Sequence, residues 1–468
     1  MNNFQFKIFQ EINKTNNGNN IMISPLSIYH ILSLTTNGAE KKTLDEMVKT
    51  LCHKSIKEMN KNNLIISSVI KKFKSMVLAN AVFTRFKPEN PFVNIVKEYH
   101  SKMELLKDAN QINKWCSDST HKKIQYIIDS LSEDDKMVLI NAIYFKGVWQ
   151  KKFDKSETHK NSFMNFNKKS MYTDFMNISE NFDYFENKDI QAISLNYQYD
   201  DIKAFIILPK RQDINTYIKS LTSENYYNIL KNLENKKVIL SLPKFEINFG
   251  EELKPHFISL GMLEPFNISA DFSSMRKGGS IKIGRIIHKS FIKVDEEGTK
   301  AATITAVVMT DCIKPRNDTI MNINHPFLFI IRSDYLPHGH DILFIAKIES
   351  LDYNTNSNEI KKAINISNKP VIKFNILKND KIKPISINKI NLNSQETNKK
   401  SNEINNNKII IHPPSAASKK IKNNKGEIKI STNNNNIHTA KNQINKNIKI
   451  NKESVLNQSK PVLSKIKK

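Results

Sequence analysis

Cysteine is scarce in this sequence, with three in 468 residues. Cys52, Cys116 and Cys312 are odd in number and widely separated, so they match neither a disulfide framework nor the paired spacing of a zinc site. Their number fits a reducing compartment, and we expect a cytoplasmic protein. The alternative is an extracellular location reached by unconventional export.

Long apolar runs are missing as well. The N-terminus has no secretory signal, because Phe4, Ile8 and Ile12 fall at helical spacing instead of forming one apolar stretch. No segment approaches the length of a membrane span. We therefore expect no membrane-spanning segment.

Glycine is infrequent, with 11 residues, and the glycine-based motifs of enzymes are absent. There is no phosphate-binding glycine loop, no Gly-x-Ser-x-Gly and no Cys-x-x-Cys. His338 and His340 could attract a metal, but a pair of histidines in a tight turn is more typical of a surface turn. No motif supplies a catalytic nucleophile together with a general base and a residue that orients the base. The sequence therefore predicts neither an enzyme nor a cofactor or metal site.

Charge is distributed unevenly. Residues 355–468 contain 24 Lys, no Arg and 6 acidic residues, so this segment holds about +18 of the net charge of +26. It consists mostly of Asn, Lys, Ile and Ser, and Phe374 is its only aromatic residue. We predict a body at 1–353 and a low-complexity, disordered basic tail at 354–468. The tail is either a solvated extension or a weak binding arm for nucleic acid or another anionic partner.

The body has an α+β pattern without regular βαβ alternation. Helices are expected from Thr43, which opens a capping box with Glu46, and over 112–120 and 215–233. Strands are expected at five positions: 137–145, 204–208, 238–242, 327–332 and 342–348.

Residues 295–311 form a β-prone ribbon with little charge after an acidic start. Alternate positions share a face of a strand. The odd-numbered face carries small or apolar side chains, and Lys300 is the only charge between Gly298 and Asp311. Such a segment suits the middle of a sheet. When it is exposed, however, a segment of this kind tends to pair with strands of other molecules and to aggregate. We interpret it as the functional element.

Seven motifs in a fixed order resemble those of the serpin family over residues 1–353. They are Ile21–Ile28, Asn141–Trp149 followed by Phe153, Leu242–Phe245, Leu260–Met262 with Ala270–Ser273, His288–Ser290, the ribbon itself and His325–Phe329. The resemblance implies the serpin fold, in which helices pack around three β-sheets and a reactive loop is exposed. It also implies a monomer that inhibits a serine or cysteine protease through a covalent complex.

In serpins, the protease cuts the loop, which then inserts as a strand into the central sheet. The resemblance implies that the hinge of this loop consists of Glu296, Glu297, Gly298, Thr299, Ala301, Ala302, Thr303 and Thr305. Ile304 departs from the small residue of inhibitory members. The period-two count puts it on the outward face, so we expect insertion to be retained but slower.

Further site residues follow from the same resemblance. Ser24, Ser27, Asn141 and His288 match the polar cluster beneath the opening sheet, and Trp149 matches the breach at its end. The same polar residues would also be expected simply as satisfied buried groups.

The cleaved bond has two possible registers. Counting from the hinge glycine as in most serpins puts it after Cys312. The shorter loop ending in Asp-Cys resembles poxvirus serpins of the cytokine-response-modifier type, which puts it at Asp311–Cys312. We adopt the second register, in which Val308, Met309, Thr310 and Asp311 fill the recognition pockets.

The second register implies an Asp-specific target, caspases or granzyme B, and so the blunting of apoptosis or inflammation in a host cytoplasm. Met309 departs from the glutamate that caspases favour. A trypsin-like protease cutting at Lys314 or Arg316 is less favoured, because Pro315 follows Lys314. The remaining alternative is a non-inhibitory scaffold whose tail binds nucleic acid or acidic partners.

Overall fold

Helices and strands are mixed along the body in the computed structural model. The structure describes residues 3–199, 201–278, 281–298 and 319–351, together with the backbone of two strands at 373–378 and 381–386. The described helices are α1 (Phe4–Thr15), α2 (Pro25–Thr36), α3 (Lys41–Thr50), α4 (Ile56–Ile70), α5 (Asn90–Glu98), α6 (Ala109–Ser119), α7 (Ile214–Ser220), α8 (Ser223–Lys231) and α9 (Lys254–Ser259), with 3-10 turns at Lys155–Glu157 and Glu264–Phe266.

The strands fall into three hydrogen-bonded groups. They are β1 (Ile21–Ile23), β2 (Met76–Thr84), β3 (Lys102–Leu105), β4 (Met137–Phe145), β5 (His159–Met164), β6 (Ser170–Glu186), β7 (Ile190–Asn196), β8 (Ile202–Pro209), β9 (Glu234–Pro243), β10 (Phe245–Glu252), β11 (Arg285–Val294), β12 (Thr319–Asn322), β13 (Phe327–Ser333), β14 (Ile342–Ile348), β15 (Lys373–Lys378) and β16 (Lys381–Ser386).

The central sheet has five strands in the order β10-β11-β4-β2-β3. Neighbouring strands β11 and β4 are parallel, whereas β10–β11 and β2–β4 are antiparallel. The fully buried strand β4 is apolar except for Asn141, as expected for a strand covered on both faces. Its bounds match the sequence prediction.

A nine-stranded sheet follows the order β1-β14-β13-β8-β7-β6-β9-β12, with β5 also paired to β6. The 17-residue strand β6 joins its two parts, because its first residues pair with β5 and its last with β7. The family resemblance implied three β-sheets in the body. Two of them share β6 here, so they form one continuous ladder in the described residues.

Helix α2 lies beneath the central sheet and is buried along its whole length. Its sequence explains both its start and its position. Ser24 caps the first turn by accepting a hydrogen bond from the Ser27 amide at 3.2 Å, and Pro25 occupies the first helical position. The helix carries no acid, lysine or arginine, and all twelve of its side chains are buried, which is typical of a helix enclosed in a core.

Two helix predictions were wrong in detail. Helix α3 begins at Lys41, so Thr43 does not cap it. Instead Thr43 accepts a hydrogen bond from the Asp271 amide, and Glu46 accepts from the Leu263 and Glu264 amides. The expected helix at 215–233 is split into α7 and α8, because Thr222 adopts an extended backbone and caps α8.

The chain divides into two units, 1–358 and 359–468. The predicted disordered tail lies outside the described residues apart from β15 and β16, which form an antiparallel hairpin. This hairpin includes Ile385 and Ser386, which belong to one of the tail's few stretches with alternating polarity.

A fully buried ion pair fixes the end of the body. The Lys347 ammonium lies 2.8 Å from the Glu349 carboxylate, and both side chains have no exposed area. Lys347 also donates to the Asn16 carbonyl and to Asn215. Burial lowers the pKa of Lys347, with Glu349 acting in the opposite direction.

Removing one partner of this pair should strongly destabilise the protein. Glu349→Ala leaves a buried ammonium without its carboxylate, which should cost about 3–5 kcal/mol of unfolding free energy. Lys347→Met combined with Glu349→Leu should recover at least half of that loss. Urea denaturation measures both, and equal destabilisation of the single and double variants would contradict this account.

Candidate functional site: the central-sheet seam and its hinge

The seam between β4 and β11 is the parallel contact at the middle of the central sheet. Seven residue pairs align along it, from Arg285–Val138 to Phe291–Tyr144, and His288 lies opposite Asn141. Because the strands run in the same direction, both end at the same edge of the sheet. A chain segment that started at this edge and ran back along the seam would be antiparallel to both strands.

A buried polar network crosses the seam. The Asn141 amide donates to the Ser27 hydroxyl of α2 and to Asn80 of β2. The Asn141 carbonyl oxygen accepts from Nδ1 of His288, assigned here as the donor tautomer. Ser24 contacts the network through its cap on Ser27. The structure thus brings together the four residues that the family resemblance named.

The network extends further than the sequence predicted. Asn80 contacts Nδ1 of His30 at 3.3 Å, and Nε2 of His30 lies 3.1 Å from the Ser67 hydroxyl on α4. Ser290 donates to the Met22 carbonyl at 2.7 Å. These single polar residues stand in apolar segments and carry no local signal. The seam is therefore tied to α2, α4 and β1 by hydrogen bonds.

The hinge leaves β11 in a tight turn. The Asp295 amide donates to the Gly298 carbonyl at 3.0 Å, and the Gly298 amide donates back to Asp295 at 3.1 Å. Gly298 also bridges to Val148, which follows the end of β4. The last described hinge residue therefore stands at the open end of the seam.

Gly298 is required by its surroundings. Its φ of +118° lies in the left-handed region, and a Cβ would lie 2.4 Å from the Gly147 carbonyl oxygen and 2.6 Å from the Trp149 amide nitrogen. We expect Gly298→Ala to cost roughly 2 kcal/mol or more of unfolding free energy. The measurement is the urea midpoint.

Gly261→Ala is the matched control for this prediction. Gly261 has a similar φ of +94°, but a Cβ there meets nothing within 4 Å. Gly261→Ala should therefore lose only the unfolding free energy that a positive φ costs an alanine, without the added cost of a steric clash. Equal losses in the two variants would show that the contact with Gly147 does not constrain the hinge.

Two acidic residues anchor the base of the hinge. The Glu296 carboxylate accepts hydrogen bonds from Lys244 and Thr158, each at 2.9 Å, and Glu297 pairs with Lys155 at 2.8 Å. Burial raises the pKa of Glu296, but the bonds from Lys244 and Thr158 outweigh it, so the pKa is lowered overall. The motif Leu242–Phe245 contained Lys244, whereas nothing in the sequence indicated Thr158 or Lys155.

Trp149 closes the edge of the site. Its indole N–H donates to the Asp295 carbonyl at 2.9 Å, and its ring stacks on Tyr197 with centroids 4.4 Å apart. Its amide also donates to the Glu297 carbonyl at 3.1 Å. Trp149 thus holds the backbone on both sides of Glu296.

The outer face of the seam is covered too. A cover formed by α6 and the segment 120–131 packs on the alternate residues of β4, namely Val138, Ile140 and Ala142. Its buried contacts include Cys116 and Ile124. The face to which the period-two count assigns Ile304 is therefore apolar and enclosed, which suits an isoleucine.

Most of the predicted loop lies outside the described residues. This applies to the hinge residues Thr299, Ala301, Ala302, Thr303 and Thr305, and to Ile304. It applies equally to the recognition residues Val308, Met309, Thr310 and Asp311 and to Cys312. The structure describes Glu296, Glu297 and Gly298, which the loop must follow.

The interpretation of His338 and His340 as surface turn residues was wrong for His340. Its ring is buried, lies 4.4 Å from the Tyr29 ring and stacks parallel to His53. The turn packs against the helical layer, which a tight-turn pattern does not reveal. In the described part of the chain, no group of three or more His, Cys, Asp and Glu side chains is arranged to hold a metal ion.

Buried histidines should make stability depend on pH. Burial lowers the pKa of His30 to about 4 and those of His288 and His340 to about 3. The unfolded chain titrates near 6.5, so it binds protons first as the pH falls. Stability is therefore complete above about pH 6.5 and decreases toward pH 4.

Each of these histidines should cost about 2 kcal/mol of unfolding free energy at pH 5 relative to pH 7. Urea midpoints at the two pH values measure the loss. His340→Phe should reduce the loss of unfolding free energy between pH 7 and pH 5 by about 2 kcal/mol, whatever its effect on absolute stability. If the dependence of unfolding free energy on pH is unchanged in His340→Phe, His340 does not contribute to the loss of stability at low pH.

None of the helices in the described residues is both long enough and apolar enough to cross a bilayer.

Comparison with known proteins agrees with this geometry. The family model described as Serpin (serine protease inhibitor) matches residues 1–351. The chain is 32% identical to a leukocyte elastase inhibitor of Xenopus laevis over 374 residues, covering 74% of this chain and 97% of that protein.

The chain belongs to the serpin family.

A solved structure supports the same assignment. The native state of tengpin, a thermophilic serpin, superposes with a TM-score of 0.68 at 30% identity, covering 74% of this chain and 92% of tengpin. A serpin-like protein of Thermococcus kodakarensis is 31% identical, over 74% of this chain and 84% of its own length. This serpin thus has the fold of a protease-inhibitor family.

Proposed function

We propose that this serpin is a suicide-substrate inhibitor whose cut loop inserts between β4 and β11. The supporting observation is the position of Gly298 at the end of a parallel strand pair. A segment entering there is antiparallel to both neighbours, so it replaces one parallel ladder with two antiparallel ones. Antiparallel pairing is the more stable arrangement per residue.

The covalent step uses the protease's own nucleophile. Its serine or cysteine attacks the carbonyl carbon of Asp311, the bond to Cys312 breaks, and the Cys312 amine leaves after taking up a proton. The protease stays attached through an ester or thioester. Insertion before water hydrolyses this link traps the complex.

Chain length supports displacement of the protease. The 13 residues from Thr299 to Asp311 span at most about 45 Å when extended, whereas the nine residues of β4 span about 30 Å. A protease attached at Asp311 would therefore be carried past the far end of the sheet. Its active site would be pulled against the serpin body.

Asp311 supports an Asp-specific protease as the target. Proteases that accept Asp before the cleaved bond bind its carboxylate with arginine guanidinium groups, a charge-assisted and directional match. Caspases and granzyme B have this preference. Val308 suits granzyme B and several inflammatory caspases, and inhibition in a host cytoplasm would blunt apoptosis or inflammation.

Mixing the protein with caspase-1, caspase-8 or granzyme B tests this proposal. An SDS-resistant adduct should form, and mass spectrometry should find a released fragment beginning at Cys312. Asp311→Asn keeps the size of the side chain but removes its charge, so it should abolish the adduct. An adduct that persists in this variant would exclude the Asp-specific assignment.

A second candidate is an elastase-type serine protease that cuts after Cys312. Two observations favour it: the relative named leukocyte elastase inhibitor, and the spacing from Gly298 usual in serpins. The released fragment would then begin at Ile313. Asp311→Asn would leave this adduct intact, so the same experiment separates the two candidates.

A further inference from the structure

The exposed face of α4 has an unusual composition for a surface helix. Its inner face is anchored by the buried residues Met59, Asn63 and Ile66. At 100° per residue, the exposed side chains fall on one opposite face. This outer face consists of Lys57, Glu58, Lys61, Leu64, Ile65 and Ser68, and continues into Lys71 and Lys72.

Two large apolar side chains occupy the middle of the outer face. Leu64 is 66% exposed and Ile65 is 43% exposed. Such residues usually turn inward on a helix that packs against a core. Their position between lysines on both sides makes this an apolar centre with a cationic rim.

The lysines of the outer face are not neutralised. Lys57, Lys61, Lys71 and Lys72 make no ion pair with any residue that the structure describes. The acid of this face, Glu58, lies at its edge, beside Ile65 by helical position. Its carboxylate accepts from the Lys54 amide and lies 3.8 Å from Nδ1 of His53.

We propose that the outer face of α4 docks on an anionic lipid surface. Lipid headgroups supply the negative charge that complements the four lysines, and the acyl boundary accepts Leu64 and Ile65. Long lysine side chains can reach the headgroups while the apolar centre goes deeper. A soluble polyanion could pair with the lysines, but it has no apolar region in which Leu64 and Ile65 could be buried.

Binding of the full chain to mixed phosphatidylcholine–phosphatidylserine vesicles tests the proposal. Leu64→Ser combined with Ile65→Ser should weaken binding about tenfold or more. Ile320→Ser is the matched control, since Ile320 is 64% exposed on β12, and it should bind as the parent does. Unchanged binding of the Leu64 and Ile65 variant would overturn the proposal.

The charge contribution is tested separately. Lys57→Gln with Lys61→Gln should weaken vesicle binding about 25-fold, from roughly fivefold per lysine. Lys168→Gln with Lys169→Gln removes two exposed lysines elsewhere and should have little effect. Equal losses in both pairs would show that only net charge matters and would contradict a docking face on α4.

A probe on the face distinguishes it from the basic tail. Leu64→Trp should be quenched by lipids brominated on their acyl chains, whereas Ile320→Trp should not. Vesicle binding without quenching at position 64 would assign the interaction to the tail. Equal binding of inorganic polyphosphate by the parent and the Leu64→Ser, Ile65→Ser variant, without lipid quenching, would assign the face to soluble polyanions. Either result would overturn the proposal.

Discussion

Cutting the loop after Asp311 should raise the melting temperature of the protein by at least about 10 °C. Insertion that deforms a folded protease needs a driving force similar to the stability of a domain, about 5–15 kcal/mol. The body of about 350 residues has an unfolding entropy of roughly 0.7 kcal/mol per degree. A gain of about 10 kcal/mol then corresponds to about 14 °C.

The proposed insertion accounts for the source of this gain. In the proposed insertion, the new strand would pair with both β4 and β11 and replace the single ladder between them, which aligns seven residue pairs. Circular dichroism melting of intact and protease-treated protein is the measurement. Equal melting temperatures after confirmed cleavage would exclude strand insertion.

Thr299→Arg should convert the inhibitor into a substrate. Thr299 follows Gly298 directly, so it enters the seam first, above buried side chains such as Ile143 and Phe145. Burying an unpaired guanidinium there costs several kcal/mol. A barrier raised by about 3 kcal/mol slows insertion about 100-fold, so hydrolysis releases the protease first.

The matched control is Lys300→Arg, which places the same side chain at the next position on the opposite face. The control should keep most of the adduct. The ratio of SDS-resistant adduct to cleaved protein, read from one gel, measures the outcome for both variants. Strong adduct formation by Thr299→Arg would rule out insertion as the trapping step.

Local patterns predicted the strands well. The bounds of β4 follow from its apolar run, and β13 and β14 follow from two runs separated by a turn. Helix ends were less predictable, because capping residues can serve other parts of the chain. Thr43 and Glu46 have the spacing of a cap, yet their oxygens accept amides of 263–271.

The candidate site depended on long-range contacts that no spacing reveals. Ser27, Asn141 and His288 meet although more than 100 residues separate each from the next. Only the family resemblance placed them together. His30 and Asn80 lacked even that signal, and their roles emerged from the packing of α2 and α4 against the sheet.

The cover formed by α6 and 120–131 has a consequence for how this loop can evolve. It is held to β11 by hydrogen bonds from Lys289 to the Tyr126 carbonyl at 2.7 Å and from Arg285 to the Ser130 carbonyl at 3.0 Å. A strand that entered the seam would have to fit beneath this cover and beside the two hydrogen bonds that hold it to β11. Side chains at even-numbered loop positions must therefore fit beneath the cover, which limits which substitutions are accepted there. Side chains at odd-numbered positions must instead be compatible with the buried polar network of Ser27, Asn141 and His288. New protease specificities should therefore arise through residues 308–311 more readily than through the hinge.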